Sequence, residues 1–142
     1  MSETVKLPKR VSRKTIDLNI YDPSGHTYKL LLQHCATLWP ALNLVQEFSH
    51  TPGLAFVSSS VAREVPYVRK DGIRYGCTAN KRTQVDSLAL ITQSLDSQFR
   101  YPVEIINFFV VQVPNSGLPA HVCALVRRLL SDDDIPHFLW DL

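Results

Sequence analysis

The sequence lacks the features that are typical of membrane-spanning proteins, secreted proteins and several classes of enzyme. Its apolar runs are shorter than the roughly 18 residues that a membrane-spanning helix needs. Its first residues, MSETVKLPKRVSRK, are polar and basic and lack the apolar core of a secretory signal. The five glycines form no phosphate-cradling loop, and no serine stands in a G-x-S-x-G nucleophile elbow. We therefore expect an intracellular protein that has no membrane partner and is not an enzyme.

Cysteine is also scarce, and this bears on redox state and metal binding. Cys35, Cys77 and Cys123 are odd in number and follow no familiar spacing, which favours reduced thiols and an intracellular location. His121 and Cys123 lie two apart on a predicted strand and point to one face. His34, Cys35 and Cys77 could complete a zinc site with them. The spacing nevertheless matches no zinc pattern. We expect buried apolar cysteines, no metal and no cofactor.

The composition indicates a globular protein with a core of its own. Of the 142 residues, 45% are apolar and 20% are charged, as in ordinary folded domains. Residues 1–14 are basic and show no periodicity that would allow burial. We predict a flexible basic arm over 1–14 and a single globular domain over 15–142.

Two apolar segments rich in Val, Ile and Phe dominate the second half of the chain. They predict strands near 103–113 and 120–129, joined by the turn-forming residues 114–119. Few polar residues interrupt the first segment, so we expect it to be central and covered on both faces. Asp71-Gly72 predicts a second hairpin within 65–77. The fold class is mainly β (α+β), as a small barrel or a strongly bent antiparallel sheet.

Weaker patterns place the remaining elements. Alternation at 16–20 predicts a strand, with a return strand at 28–32. Leu42, Val45 and Phe48 have helical spacing, and Pro40 suits a first turn, so one helix is predicted near 40–49. Further strands are predicted at 54–57 and 87–92.

Positive charge is concentrated in two parts of the chain although the formal net charge is only +2. One group lies at 6–14, and the other lies at 63–82, where Tyr67 and Tyr75 stand among the cations. Arginine and tyrosine together can hold phosphates and stack on bases. The candidate nucleic-acid-binding residues are Lys9, Arg10, Arg13, Lys14, Arg69, Lys70, Arg74, Tyr75, Lys81 and Arg82. The open alternatives are a solvated hairpin with inward tyrosines, and an arm that serves solubility or nuclear import.

The order of segments in the second half also suggests a relationship. The segments are IRYG at 73–76, SLALI at 87–91, YPVEIINFFVVQV at 101–113, VCALVRRL at 122–129 and the end at Trp140-Asp141. Over residues 66–142 this resembles a barrel-like segment of mobile-element-derived proteins of mushroom-forming fungi. It is also loosely similar in layout to bromo-adjacent homology (BAH) domains. The resemblance implies a non-catalytic domain near nucleic acid or chromatin, and it identifies no binding residue.

The sequence thus predicts a non-catalytic binding module for nucleic acid or chromatin-type partners, acting through the basic hairpin and the N-terminal arm. Its location is predicted as intracellular, with the nucleus as one interpretation of the arm. One alternative is an assembly protein that forms a homodimer through apolar residues such as Phe138 and Trp140. Another is a small intracellular enzyme without a recognisable motif. Asp132–Asp134 are interpreted as a turn or cap and not as a metal site.

Overall fold

The structure is a computed structural model that describes residues 5–10, 12–92 and 100–129. The helices are α1 (Leu18–Tyr21) and α2 (His26–Leu38). The strands are β1 (Leu44–Gln46), β2 (Leu54–Phe56), β3 (Ala62–Val65), β4 (Tyr67–Lys70), β5 (Ile73–Gly76), β6 (Leu88–Thr92), β7 (Arg100–Val111) and β8 (His121–Arg128). The predicted mainly-β α+β class is confirmed. The described strands form no closed barrel, because they pair as separate sheets of two, four and two strands.

The chain divides into two compact units. The hairpin unit comprises the described residues within Met1–Lys9, Val65–Phe108 and Ala124–Leu142. The helical unit comprises those within Arg10–Glu64 and Phe109–Cys123. The predicted division into an arm over 1–14 and one domain over 15–142 stays a prediction.

In the hairpin unit, β4 and β5 form the hairpin that Asp71-Gly72 predicts. The two turn residues have positive φ values of 57° and 76°, as the tight two-residue turn of a hairpin requires. β6 pairs antiparallel with the first residues of β7, from Leu88 opposite Glu104 to Thr92 opposite Arg100. The core of this unit contains the buried side chains of Val65, Val68, Cys77, Val103, Ile105 and Phe108.

The helical unit contains α1, α2 and the parallel pair β1–β2. A turn held by an aspartate precedes each helix. Asp17 caps α1 by accepting hydrogen bonds from the backbone N–H groups of Asn19 and Ile20. Tyr28 of α2 packs on Phe56, and its hydroxyl donates to the Phe56 carbonyl over 2.6 Å. The buried residues of this unit include Leu18, Leu31, Cys35, Phe56, Val61, Phe109 and Val111.

β7 is the central strand that the apolar segment at 103–113 predicts. It pairs with β3, β6 and β8. Every residue from Asn107 to Val111 is buried, so both faces of the strand are covered there. The predicted second arm near 120–129 is confirmed as β8, and the strands predicted at 54–57 and 87–92 are confirmed as β2 and β6.

The helix predicted near 40–49 is wrong. Residues Pro40–Leu42 form one 3-10 turn, and Asn43 then adopts a left-handed conformation with φ 51°, which ends the turn. The Asn43 carbonyl accepts a hydrogen bond from the Leu54 N–H, and this aligns β1 with β2. The spacing of Leu42, Val45 and Phe48 therefore does not correspond to a helical face.

The strands predicted at 16–20 and 28–32 are also wrong, because side chains that precede each helix accept hydrogen bonds from its first N–H groups. Asp17 caps α1, as described above. The apolar run at 28–32 lies inside α2, where it supplies the buried residues Tyr28 and Leu31. The periodicity of a short apolar run does not distinguish a strand from a helix. The hydrogen bonds at the start of each segment therefore determine that it is helical.

Asp22 holds the turn that precedes α2. Its carboxylate accepts hydrogen bonds from the hydroxyl of Ser24 over 2.6 Å and from the hydroxyl and N–H of Thr27 over 2.8 and 3.0 Å. The Ser24 hydroxyl, followed by the two Thr27 groups, lowers the pKa of Asp22 from 3.8 to about 2. The charged form is therefore the one that stabilises the turn.

Replacement of Asp22 by Asn should reveal this contribution as a pH dependence. The lowered pKa means that the carboxylate stabilises the fold above pH 3.8 and that this contribution is lost as the pH falls towards about 2. In thermal melts followed by circular dichroism, D22N should melt below the parent at neutral pH, and the gap should close between those two values. Asp71→Asn, at a turn position that suits asparagine, is the control. A gap that is independent of pH would contradict the role of the charge.

Val111→Asp should unfold the helical unit. Val111 is fully buried in β7, and a carboxylate placed there without a partner destabilises by about 3 kcal/mol or more. Urea denaturation measures the change, and the exposed neighbour Gln112→Asp is the control. Equal stability of the two variants would show that β7 is not the core strand.

Candidate nucleic-acid interface

The register of the β4–β5 hairpin assigns its side chains to two faces. Arg69 lies opposite Arg74, and Val68 lies opposite Tyr75. Residues directly opposite one another share a face, and the faces alternate along each strand. The first face, here called the arginine face, carries Tyr67, Arg69, Arg74 and Gly76. The other face carries Val68, Lys70, Ile73 and Tyr75.

Lys6 adds a third cation to the arginine face. Its N–H donates to the Arg69 carbonyl over 2.8 Å, and the Arg69 N–H donates to the Lys6 carbonyl over 2.9 Å. Because both backbone groups of Arg69 point to Lys6, Arg69 and Arg74 form a non-hydrogen-bonded pair, with Cα atoms about 4.5 Å apart. Lys6, Arg69 and Arg74 thus form a cation row across three chain segments.

The charges of the cation row are only partly neutralised. Arg74 donates to Asp86 Oδ2 from Nη2 over 2.8 Å and from Nε over 3.1 Å, and its guanidinium lies 5.5 Å from the centre of the Tyr67 ring. Lys6 and Arg69 are exposed and form no ion pair with another described residue. Like charges directly opposite each other in a sheet are unfavourable. The row is therefore a site where an added anion would relieve repulsion.

The loop that carries Lys81 and Arg82 is fixed at the base of the hairpin. The Thr83 hydroxyl donates to the Pro66 carbonyl over 2.8 Å and accepts from the Cys77 N–H over 3.3 Å. A Cβ at Gly76 would lie 2.6 Å from Thr83 Cβ and closer still to the Thr83 carbonyl oxygen, so only glycine fits. Lys81 and Arg82 are exposed on this anchored loop.

Two of the predicted binding residues lie on the other face of the hairpin. Tyr75 is half-buried beside an apolar cleft that Leu88, Leu90 and Pro102 also line, and Lys70 shares its face. Tyr67 and Lys6 take their place on the arginine face, although neither was among the candidate residues. The two-residue turn could have revealed the faces, since residues equidistant from Asp71-Gly72 must pair.

The predicted arm residues are divided between the two units. Lys9 belongs to the hairpin unit, and Arg10, Arg13 and Lys14 belong to the helical unit. All four are exposed. The cation row is therefore the candidate site of the hairpin unit. Of the basic group at 6–14, only Lys6 belongs to this row.

Histidine and cysteine side chains gather in the helical unit. The His34 and His121 rings lie 5.7 Å apart, and the Trp39 ring lies 5.8 Å from His121. No group of three or more His, Cys, Asp or Glu side chains among the described residues could hold a metal ion. Cys77, the other zinc candidate, belongs to the hairpin unit.

The titration behaviour of this cluster favours neutral side chains. Burial raises the pKa of Cys35 to about 11, and burial together with Cys35 raises the pKa of Cys123 to about 12. Burial and, secondarily, His34 lower the pKa of His121. At neutral pH the thiols are protonated, so they are poor nucleophiles. The prediction of buried cysteines is confirmed for Cys35 and Cys77, whereas Cys123 is half-buried.

Some predicted features lie outside the described residues: Asp132–Asp134, Phe138 and Trp140. Within the described part of the chain, no helix is long and apolar enough to cross a membrane.

Comparison with known proteins gives no match: no protein-family model, no curated protein and no solved structure matches the chain. The resemblance to mobile-element-derived proteins and BAH domains therefore stays a prediction.

Gly76→Ala should destabilise the hairpin unit more than Gly72→Ala does. The first substitution forces a methyl group into Thr83, whereas the second meets no atom within 4 Å and adds only the strain of a left-handed residue, about 1 kcal/mol. Urea denaturation of both variants measures the difference. If G76A is the more stable of the two, the loop at 80–86 is not anchored as described.

Proposed function

We propose that this protein is a non-catalytic module that binds nucleic acid by its phosphates through the cation row. The supporting observation is that Lys6 and Arg69 lie side by side without an anionic partner among the described residues. Repulsion between neighbouring cations opposes folding, and phosphates placed against the row would remove that repulsion.

An extended polyanion fits the cation row better than a small ligand does. The row crosses three chain segments, and its neighbouring Cα atoms are separated by about 4.5 and 5.5 Å, so its charges are spread along a line. Arg69 presents a planar guanidinium, which can hold two oxygens of one phosphate, and Lys6 presents a point charge. Such contacts position a nucleic-acid backbone without reading its sequence.

Low sequence specificity follows from the elements of the hairpin unit. Its described residues contain no α-helix that could enter a major groove. Tyr67 lies beside Arg74 on the arginine face, so its ring helps to orient a guanidinium. We propose Lys9, Lys81 and Arg82 as additional phosphate contacts of the hairpin unit, and Arg10, Arg13 and Lys14 as separate phosphate contacts of the helical unit. A chromatin-type partner and a nuclear location belong to the same proposal.

Charge reversal on the two faces of one strand tests the proposal. Arg69 and Lys70 are exposed neighbours on β4 whose side chains point to opposite faces. In anisotropy titrations with a labelled oligonucleotide, Arg69→Glu should weaken binding and reduce the log–log salt slope by about one unit, the value of one phosphate contact. The matched control Lys70→Glu changes charge equally and should leave the slope near that of the parent.

Two outcomes would contradict the proposal. If the parent protein at tens of micromolar binds neither DNA nor RNA at low salt, the row is not a nucleic-acid site, because non-specific binders reach roughly 10⁻⁴–10⁻⁶ M. If K70E loses as much as R69E, the arginine face is not the binding face.

A further inference from the structure

The helical unit contains a positively charged cleft that the cation row does not involve. Its volume is about 650 Å³, within the range of small-molecule sites. The polar side chains that line it are Arg13, Arg63, Thr15, Ser60, Gln112 and Asn115, and no described lining residue is an acid. The cleft therefore offers two guanidinium groups and several hydrogen-bonding groups.

Backbone hydrogen bonds fix the walls of this cleft. The Thr15 hydroxyl donates to the Ser59 carbonyl over 3.0 Å, and the Ile16 N–H donates to the Ala62 carbonyl over 2.9 Å. These bonds hold the segment that carries Arg13 against the start of β3. On the other side, the Gln112 N–H donates to the Val61 carbonyl over 2.9 Å. Buried Val61 and Val110 provide an apolar floor.

Strand alternation keeps acids out of the cleft. Arg63 and Glu64 are neighbours in β3, so their side chains point to opposite faces. Glu64 lines a different cleft together with Lys14 and Asp17. Neither Arg13 nor Arg63 forms an ion pair with a described residue. Both arginines are thus available to an anion that enters the cleft.

We propose that this cleft binds a small organic phosphate of nucleotide size. Arginine is suited to phosphate because its planar fork donates two parallel hydrogen bonds. Arg13 and Arg63 hold the phosphate, and Val61 and Val110 contact the organic part. Inorganic phosphate alone would leave this apolar floor uncovered, so the organic part contributes to affinity.

Isothermal titration calorimetry of the full chain with adenosine monophosphate tests this site. Adenosine and inorganic phosphate are titrated as comparison probes. Adenosine monophosphate should bind more tightly than either, because only it engages both arginines and the apolar floor. Arg63→Gln should weaken binding of adenosine monophosphate tenfold or more, as expected on removal of charge-assisted hydrogen bonds. Lys29→Gln removes equal charge from an exposed position of α2 that does not line the cleft, so it should bind as the parent does.

Several results would overturn the proposal: no heat with adenosine monophosphate, equal binding of adenosine, equal binding of inorganic phosphate, or parental affinity in R63Q. Circular dichroism checks that R63Q is folded. If it is not, Arg13→Gln provides the same test from the other arginine, and parental affinity in R13Q would overturn the proposal equally. Arg69→Glu should not affect this binding, so the site can fail or hold independently of the cation row.

Discussion

Hydrogen bonds to β7, and to the segment that continues it, fix chain segments beside each candidate site. In the hairpin unit, the N–H groups of Thr78 and Ala79 donate to the carbonyls of Ile105 and Ile106. They attach the segment after β5 to the central strand, and the anchored loop with Lys81 and Arg82 follows directly. In the helical unit, the segment that continues β7 bonds to Val61 at the floor of the arginine-lined cleft. Buried backbone groups must be paired, so in each unit a displaced segment would leave its own hydrogen-bonding groups unsatisfied.

The cation row shows how local pairing can work against local stability. An antiparallel ladder brings Lys6, Arg69 and Arg74 side by side, and the sequence provides only one carboxylate, Asp86, against them among the described residues. Ion pairs of this exposed kind contribute at most about 1 kcal/mol. The repulsion that remains between these cations is small compared with the stability of the fold, but it is concentrated on the arginine face. A weak destabilisation of this sort can persist in a fold when the same charges have a ligand.

Elements with strong local signals were predictable from the sequence, and elements set by side-chain caps were not. Asp71-Gly72 and the apolar segment at 103–113 specify a turn and a buried strand by residue type alone. α2 was missed because a carboxylate at Asp22 reaches Thr27, a contact that hydrophobic periodicity does not contain. Asn43 similarly ends a turn through an uncommon conformation. The arginine face was not predicted, although the turn register would have revealed it. The pairing of Lys6 with Arg69 joins residues 63 positions apart and has no local signal.

The positive charges of the two proposed sites differ in their exposure to solvent. Each site is therefore suited to a different kind of anion. Lys6 and Arg69 are exposed, so salt at physiological strength screens them beyond about 8 Å. Such charges favour a polyanion, which compensates for weak contacts by their number. In the cleft, Arg13 is also exposed, but Arg63 is half-buried beside the valine floor, where screening is weaker and a single phosphate can be held by directed hydrogen bonds. The thiols of Cys35 and Cys123 stay protonated at neutral pH, so they bring no negative charge into the helical unit to oppose an anion in the cleft.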